Sequence, residues 1–172
     1  MAGLCQDCTG CCQVFEVRAI SKPFGSLCQH LGALLGGAKG CTIYADRPPE
    51  CQRYVCLWLD SQRRPEVERM PEELRPDVCK VVFGWPWGIE RETLHVYPYP
   101  DFPDAWRKGA VARHIKMVLG RGGKIVVYVN AQKVYALSGD MAVVGTEAEF
   151  AELLNRPEMG EQEDFSDVAP GA

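Results

Sequence analysis

Apolar and polar residues alternate from Val14 to Ile20 (Val-Phe-Glu-Val-Arg-Ala-Ile). A period of two sends successive side chains to opposite faces of a strand, so this stretch predicts a half-buried strand. Lys124 to Val129 and Lys133 to Leu137 are two further strand-like stretches, separated by Asn130-Ala131-Gln132. They predict the clearest hairpin in the chain, and Met141 to Val144 predicts a strand that follows it.

Other segments carry weaker strand, turn and helix signals. Glu50 to Asp60 predicts a helix, because Pro48 and Pro49 precede it, Glu50 suits the positive end of the helix dipole, and apolar bulk follows. A second helix is predicted from about Pro103 to Leu119, stopped by Gly120. The remaining predictions are strands at Val78–Phe83 and Thr93–Tyr97, a turn at Gly84–Gly88, a loop or short frayed helix at Gly32–Gly40, and short helices at Pro71–Arg75 and Glu147–Leu154.

These elements predict an α+β fold in which a cysteine-rich, metal-binding module precedes a small mixed sheet with one or two helices. The expected divisions are residues 1–60 for the cysteine module, 61–77 for a proline-punctuated connector, 78–154 for the α+β unit and 155–172 for an acidic tail. We expect the tail to be disordered, since it is acidic and poor in residues that form a core.

Charge and hydropathy exclude two classes of partner. The formal net charge is −4, and no Lys/Arg stripe of the kind found in nucleic-acid binders is present, so we expect no nucleic acid as partner. No apolar run approaches the roughly 18–20 residues that cross a bilayer, so we expect no membrane partner. The N-terminal residues lack the basic and apolar regions of a secretory signal, and the sequence therefore predicts a cytoplasmic protein.

Cysteine is concentrated at the N-terminal end of the chain. Of nine cysteines, eight lie within the first 56 residues: Cys5, Cys8, Cys11, Cys12, Cys28, Cys41, Cys51 and Cys56. In a reducing compartment such a set more often binds metal than forms disulfides, and the odd total of nine also argues against a disulfide framework. All eight are candidate metal ligands. The ninth, Cys79, lies in an apolar strand pattern and is expected to be a core residue.

Spacing constrains how these thiols can converge. Cys5-x2-Cys8-x2-Cys11 equals the first three ligands of a ferredoxin-type [4Fe–4S] run, although Phe15 stands where the fourth would be. Adjacent side chains generally diverge, so Cys11 and Cys12 are not expected to bind one ion together. Cys51 and Cys56 would lie about 140° apart on a continuous helix. We therefore expect Cys51 at the helix entry and Cys56 in its second turn.

Together these residues resemble the bacterial CxxCxxCC cysteine-cluster family. The resemblance rests on Cys5-x2-Cys8-x2-Cys11-Cys12, a later Cys28, and Gly40-Cys41-Thr42-Ile43-Tyr44-x2-Arg47-Pro48-x2-Cys51-x2-Tyr54-x-Cys56, and it covers about residues 5–60. The family is described as a zinc- or iron-chelating, or iron–sulfur, domain and includes the flagellin lysine N-methylases. The resemblance implies a metal or iron–sulfur centre, but no single activity.

The same thiolates suit zinc and iron–sulfur clusters, so spacing alone does not separate the two. The ferredoxin-like run and the resemblance favour a [4Fe–4S] cluster over zinc. Arg47 is a candidate cofactor-binding residue, because its guanidinium could donate hydrogen bonds to cluster sulfurs; a structural salt bridge is the alternative.

Three function classes follow from this interpretation. The first is an iron–sulfur protein with a redox or electron-transfer role and an as yet unidentified protein or redox partner. The second is a metal-dependent, methyltransferase-like enzyme, and the third is a zinc-stabilised interaction module without catalysis. Against the second, the sequence has no Gly-rich strand–turn–helix site for S-adenosylmethionine.

Overall fold

A mixed β-sheet forms the centre of the computed structural model, which describes residues 8–33, 39–85, 93–130, 133–139, 141–146 and 161–162. The strands are β1 (Leu31–Ala33), β2 (Lys39–Cys41), β3 (Val81–Gly84), β4 (Thr93–Pro98), β5 (Lys124–Asn130), β6 (Lys133–Ser138), β7 (Met141–Gly145) and β8 (Glu161–Gln162). The central sheet has the order β3-β4-β5-β6-β7-β8, and β1 pairs with β2 in a separate antiparallel ribbon. Only the β4–β5 pair of the central sheet is parallel.

One longer helix accompanies several short ones. The helices are α1 (Gly10–Val14), α2 (Pro49–Arg53), α3 (Leu57–Ser61), α4 (Pro76–Cys79) and α5 (Gly109–Gly120), with 3₁₀ turns at Arg18–Ile20, Glu66–Glu68, Glu72–Leu74 and Ala105–Arg107. Helices and a mixed sheet together confirm the predicted α+β fold class. The structure also confirms the predicted hairpin as β5 and β6, and the predicted strand after it as β7.

Helix α5 covers one face of the central sheet. Phe83, Val96 and Val127 lie side by side on β3, β4 and β5, and Phe83 contacts the His114 ring of α5 at 5.3 Å between centroids. Val111 and Ile115 of α5 are fully buried in the same core. Burial of each such side chain contributes about 1.5–3 kcal/mol to stability, so this apolar layer fixes the sheet.

The N-terminal segment, which carries the cysteines, covers the opposite face. Phe15 packs on Tyr97 of β4 at 4.8 Å between ring centroids, and Phe24 packs on Tyr97 and on Tyr128 of β5. The core also joins Val14 and Trp58 to residues of the sheet. Residues of the predicted cysteine module thus share a core with the sheet, and the predicted domain limits themselves stay a prediction.

The predicted strand from Val14 to Ile20 is wrong. Val14 ends helix α1, and Arg18–Ile20 forms a 3₁₀ turn. Ser21 has a left-handed backbone (φ 51°), so the chain folds back and Val17 exchanges backbone hydrogen bonds with Lys22. The alternation therefore reflects a tight turn with one buried side, since Val14 and Val17 are buried and Arg18 is exposed.

The predicted helix from Glu50 to Asp60 is broken into α2 and α3. Tyr54 has an extended backbone and places its ring 4.3 Å from that of Phe15. Cys56 is the N-cap of α3, where its Sγ accepts the Leu59 N–H at 3.5 Å. Cys51 accordingly lies inside α2, and Cys56 precedes a helix instead of lying in a second turn.

Two further boundaries differ from the predictions, each at a residue with a left-handed backbone. Val78 lies in α4, and β3 begins only at Val81, because Lys80 has a left-handed backbone (φ 62°). The helix predicted from Pro103 begins only at Gly109. The residues before it form the 3₁₀ turn Ala105–Arg107, and the φ of 56° at Gly109 separates that turn from α5.

The ends of the segment predicted as a loop or frayed helix at Gly32–Gly40 belong to β1 and β2, and residues 34–38 lie outside the described residues. The predicted helix at Glu147–Leu154 lies wholly outside them, as does most of the predicted turn at Gly84–Gly88. Within the tail predicted to be disordered, Glu161–Gln162 forms the short strand β8 on the edge of β7, and its other residues are not described. Among the helices of the described ranges, none combines the length and apolar character needed to span a membrane.

Candidate metal centre

Four separate segments bring cysteines to one end of the molecule. Helix α1 carries Cys11 and Cys12, and the Cys28 backbone N–H donates to the Cys12 carbonyl at 2.9 Å. The Leu31 N–H then donates to the Cys28 carbonyl, and Leu31 of β1 pairs with Cys41 of β2. Backbone hydrogen bonds thus tie three cysteine-bearing segments together, and helix α2 brings Cys51 as the fourth.

The Cys12 thiol has a thiolate-favouring environment. A hydrogen bond from the Cys11 side chain lowers the pKa of Cys12 to about 7, although burial opposes this shift. Positive charges on Lys22 and Arg47 lower the pKa of Cys12 further. The adjacent Cys11 and Cys12 side chains therefore interact, whereas the sequence predicted that they diverge.

Cys41 and Cys51 lie within range of the same negative charges. Burial raises the pKa of Cys41, and thiolate charge at Cys12 and Cys28 raises it further. Burial likewise raises the pKa of Cys51, with contributions from the charges of Cys12, Cys28 and Cys41. The mutual influence shows that Cys12, Cys28, Cys41 and Cys51 form one electrostatic group, which we call the thiol group.

Lys22 supplies the thiol group with a buried positive charge that no motif or spacing singles out. Its side chain is 5% exposed, and its Nζ donates to the carbonyls of Phe15 and Pro23. Burial lowers the pKa of Lys22, and thiolate charge at Cys28 and Cys12 opposes that effect. The sequence marks Lys22 only by scarcity, since Arg18 and Lys22 are the only Lys or Arg residues among residues 1–38.

Arg47, the candidate cofactor-binding residue, supplies a second cation at the thiol group. Its guanidinium stacks 3.6 Å from the centroid of the Tyr44 ring, and its charge lowers the pKa of both Cys12 and Cys41. Arg47 Nε is buried and has no hydrogen-bond partner in the part of the chain that the structure describes. The same holds there for Oε2 of Glu50, whose charge contributes to the raised pKa of Cys51. Buried polar atoms of this kind ordinarily find a partner.

Cys8 precedes α1 and lies within electrostatic range of Cys79 and Tyr99. Negative charge at Cys8 contributes to raising the pKa values of Cys79 and Tyr99, behind the larger effect of burial at each. Burial raises the pKa of Cys79 to about 11, and its Sγ donates to the Val81 carbonyl at 3.3 Å. Cys79 is therefore a protonated, half-buried thiol at neutral pH, close to the cysteine run although not part of it.

Cys56 and Cys5 stand apart from the thiol group for different reasons. Cys56 is buried, belongs to the apolar core and caps α3. Its assignment as a metal ligand stays a prediction. Cys5 lies outside the described residues, so its predicted ligation is likewise untested.

Thiols from four segments, together with Arg47 Nε, which lacks a partner among the described residues, make a sulfur-rich donor set of the kind that soft metals and iron–sulfur clusters take. Cys12, Cys28, Cys41, Cys51 and Cys79 are free thiols. Within the described ranges, no three His, Cys, Asp or Glu side chains lie close enough to hold one metal ion. Comparison with protein-family models, with curated proteins and with solved structures found no match to this chain.

Proposed function

We propose that this protein holds an iron–sulfur cluster, of the [4Fe–4S] type in preference to zinc, through its N-terminal cysteines, and that it acts in electron transfer. The observation that carries the proposal is the electrostatic group of Cys12, Cys28, Cys41 and Cys51 around the buried Lys22. Burying an ammonium is costly unless hydrogen bonds and negative charge compensate it; the Phe15 and Pro23 carbonyls accept its hydrogen bonds, and thiolates supply the charge.

The chain's own residues would prepare the site in three ways. Lys22 and Arg47 favour the thiolate form of Cys12, the form in which cysteine ligates a metal. Arg47 Nε, which has no protein partner among the described residues, is available to donate to a ligating sulfur. The Phe15 and Tyr54 rings, which follow α1 and α2, pack 4.3 Å apart between centroids and hold these two cysteine-bearing helices together. A bound iron–sulfur cluster would supply one-electron transfer.

The preference for iron–sulfur over zinc rests on the spacing Cys5-x2-Cys8-x2-Cys11, which equals the first three ligands of a ferredoxin-type [4Fe–4S] run. In the described residues, no three His, Cys, Asp or Glu side chains lie close enough to hold one metal ion, so binding of a centre would require the thiols to rearrange.

We further propose a cytoplasmic location and a protein redox partner, with no nucleic acid bound. Free thiols at this density suit a reducing compartment. The chain has 23 acidic and 19 basic side chains, a balance that does not favour binding to a phosphate backbone.

Substitution of single cysteines in anaerobically prepared protein tests the ligand assignment. We expect C8S and C51S to lose the bound metal, measured as metal per chain, since each removes a predicted thiolate donor. C79S is the matched control and should keep its metal, because Cys79 is protonated and bonded to the Val81 carbonyl. Loss of metal in C79S with retention in C51S would overturn the proposal.

A further inference from the structure

Tyr99 buries a hydroxyl group that makes no hydrogen bond with the described residues of the core. Tyr99 is 3% exposed, and its backbone follows β4, where its N–H donates to the Lys80 carbonyl at 2.8 Å. Its hydroxyl oxygen has no hydrogen-bond partner in the described parts of the chain. An unsatisfied buried hydroxyl costs about 1–3 kcal/mol, and a phenylalanine would avoid that cost.

The hydroxyl is directed at the cysteine run. A Cβ built on Gly10 would lie 2.9 Å from the Tyr99 hydroxyl oxygen, so this oxygen contacts the backbone between Cys8 and Cys11. The same Cβ would also lie 2.9 Å from Cβ of Pro76 and 3.0 Å from a Val82 methyl group. Only glycine therefore lets α1 approach the sheet closely enough to bring Cys8 and Cys11 to Tyr99.

The phenol remains a hydrogen-bond donor at neutral pH. Burial raises the pKa of Tyr99, and negative charge at Cys8, Asp77 and Cys79 raises it further. Thiolate sulfurs and the inorganic sulfides of a cluster are hydrogen-bond acceptors, and donors in the surrounding shell stabilise the negative charge that they carry.

We propose that the Tyr99 hydroxyl donates a hydrogen bond to a sulfur of the metal centre bound by the Cys8–Cys11 run, and so acts as a positioning residue for that centre. This inference rests on the proposed function. Tyr99 follows a strand of the sheet, far along the chain from the cysteines, and through it the sheet would act on the centre. Its hydroxyl has no partner among the described residues, and a bound centre would supply one.

The variant Y99F tests this role through two readouts with opposite signs. In the metal-free protein, Y99F should raise the denaturant midpoint, because it removes a buried hydroxyl without a partner. In the loaded protein, Y99F should lose metal to a chelator roughly tenfold faster or more, in line with the effect of other groups that support metal ligands. If the centre is an iron–sulfur cluster, its reduction potential should also become more negative, since a donor to the reduced form is lost.

Y135F is the matched control, because Tyr135 is equally buried on the same sheet but packs against Trp106. It should leave the rate of metal loss unchanged. If the unsubstituted protein binds no metal, the proposed function fails and this inference fails with it. If that protein binds metal and Y99F releases it at the unsubstituted rate, the inference is overturned while the proposed function stands. A lower denaturant midpoint for metal-free Y99F would also overturn it.

Discussion

Lys22 shows how one residue can change the chemistry of several thiols. Its buried ammonium lies within range of Cys28, Cys12, Cys11 and Cys51, and none of these contacts follows from its position in the sequence. Opposite charge within a few ångströms favours a thiolate, whereas burial alone would suppress it. Lys22 therefore offsets part of the cost of burying thiolates at the candidate metal centre.

The variant K22M should raise the pKa of Cys12 in the metal-free protein. A rise of one unit from about 7 would lower the thiolate fraction at pH 7 from about one half to about one tenth. Alkylation of Cys12 at pH 7, followed by mass spectrometry of the peptide, should slow accordingly. K116M removes an equal charge from the exposed side of α5 and should leave the rate unchanged. Equal alkylation rates in K22M and K116M would show that Lys22 does not act on Cys12.

His95 links the stability of the fold to pH. Burial lowers the pKa of His95 to about 4, and its Nδ1 lies 3.3 Å from the Tyr97 hydroxyl. The unfolded state takes up a proton near pH 6.5 and the folded state only near pH 4, so the free energy of unfolding falls as the pH falls between these values. From pH 7 to pH 5 the loss should be about 2 kcal/mol.

Urea denaturation at pH 7 and pH 5 checks this dependence. The variant H95Q should lack most of the difference between the two pH values, because glutamine does not titrate. If H95Q loses as much free energy of unfolding between pH 7 and pH 5 as the unsubstituted protein, other groups cause the acid sensitivity. His114 is one such group, because burial lowers its pKa as well.

At the level of elements, the position of α1 against the sheet depends on Gly10. The side chains of Pro76, Val82 and Tyr99 leave no room for a Cβ at this position. G10A should therefore destabilise the fold by roughly 1–3 kcal/mol through overpacking. Denaturant unfolding measures this change.

G120A provides the control for this substitution. Gly120 ends α5, has an exposed position, and no atom would lie within 4 Å of its Cβ. The exchange should stabilise the protein by about 0.5 kcal/mol, since alanine loses less backbone entropy in a helix. If G10A proves as well tolerated as G120A, α1 does not pack against the sheet as described.

The elements that the sequence predicts well are those with a local cause. Strands β5, β6 and β7 follow from consecutive apolar stretches with turns between them, and their pairing is between neighbours along the chain. The breaks in the predicted helices have no such local signal. Tyr54 has an extended backbone and contacts Phe15, which lies about forty residues earlier in the chain. Lys80 has a left-handed backbone, which is uncommon for residues other than glycine and therefore not expected from sequence.

The residues of the candidate site also fall into two groups, those with a signal in the sequence and those without. The cysteines and Arg47 can be selected from their spacing and from the family resemblance. Lys22 and Tyr99 cannot, because their relation to the thiols arises from the turn at Ser21 and from the docking of α1 on β3 and β4. The hydrogen bond from Cys11 to Cys12 also depends on local rotamers within α1, which residue spacing does not define.

For the molecule as a whole, the sheet separates two layers with different chemistry. Helix α5 and its apolar partners lie on one face, and the cysteine-bearing segment with the Phe15 and Phe24 rings lies on the other. The cysteine-bearing segment is thus built on the same core that stabilises the sheet. Binding of a centre there should stabilise the entire fold, because a ligand that binds only the folded state shifts the unfolding equilibrium.

The central claim is that the N-terminal cysteines hold an iron–sulfur cluster, and chemical analysis of anaerobically purified protein tests it most directly. We expect a brown protein with a broad visible absorption band and with iron and acid-labile sulfide in equal amounts, about four of each per chain for a [4Fe–4S] cluster. A colourless protein that contains zinc and no sulfide, or that contains no metal, would contradict the claim.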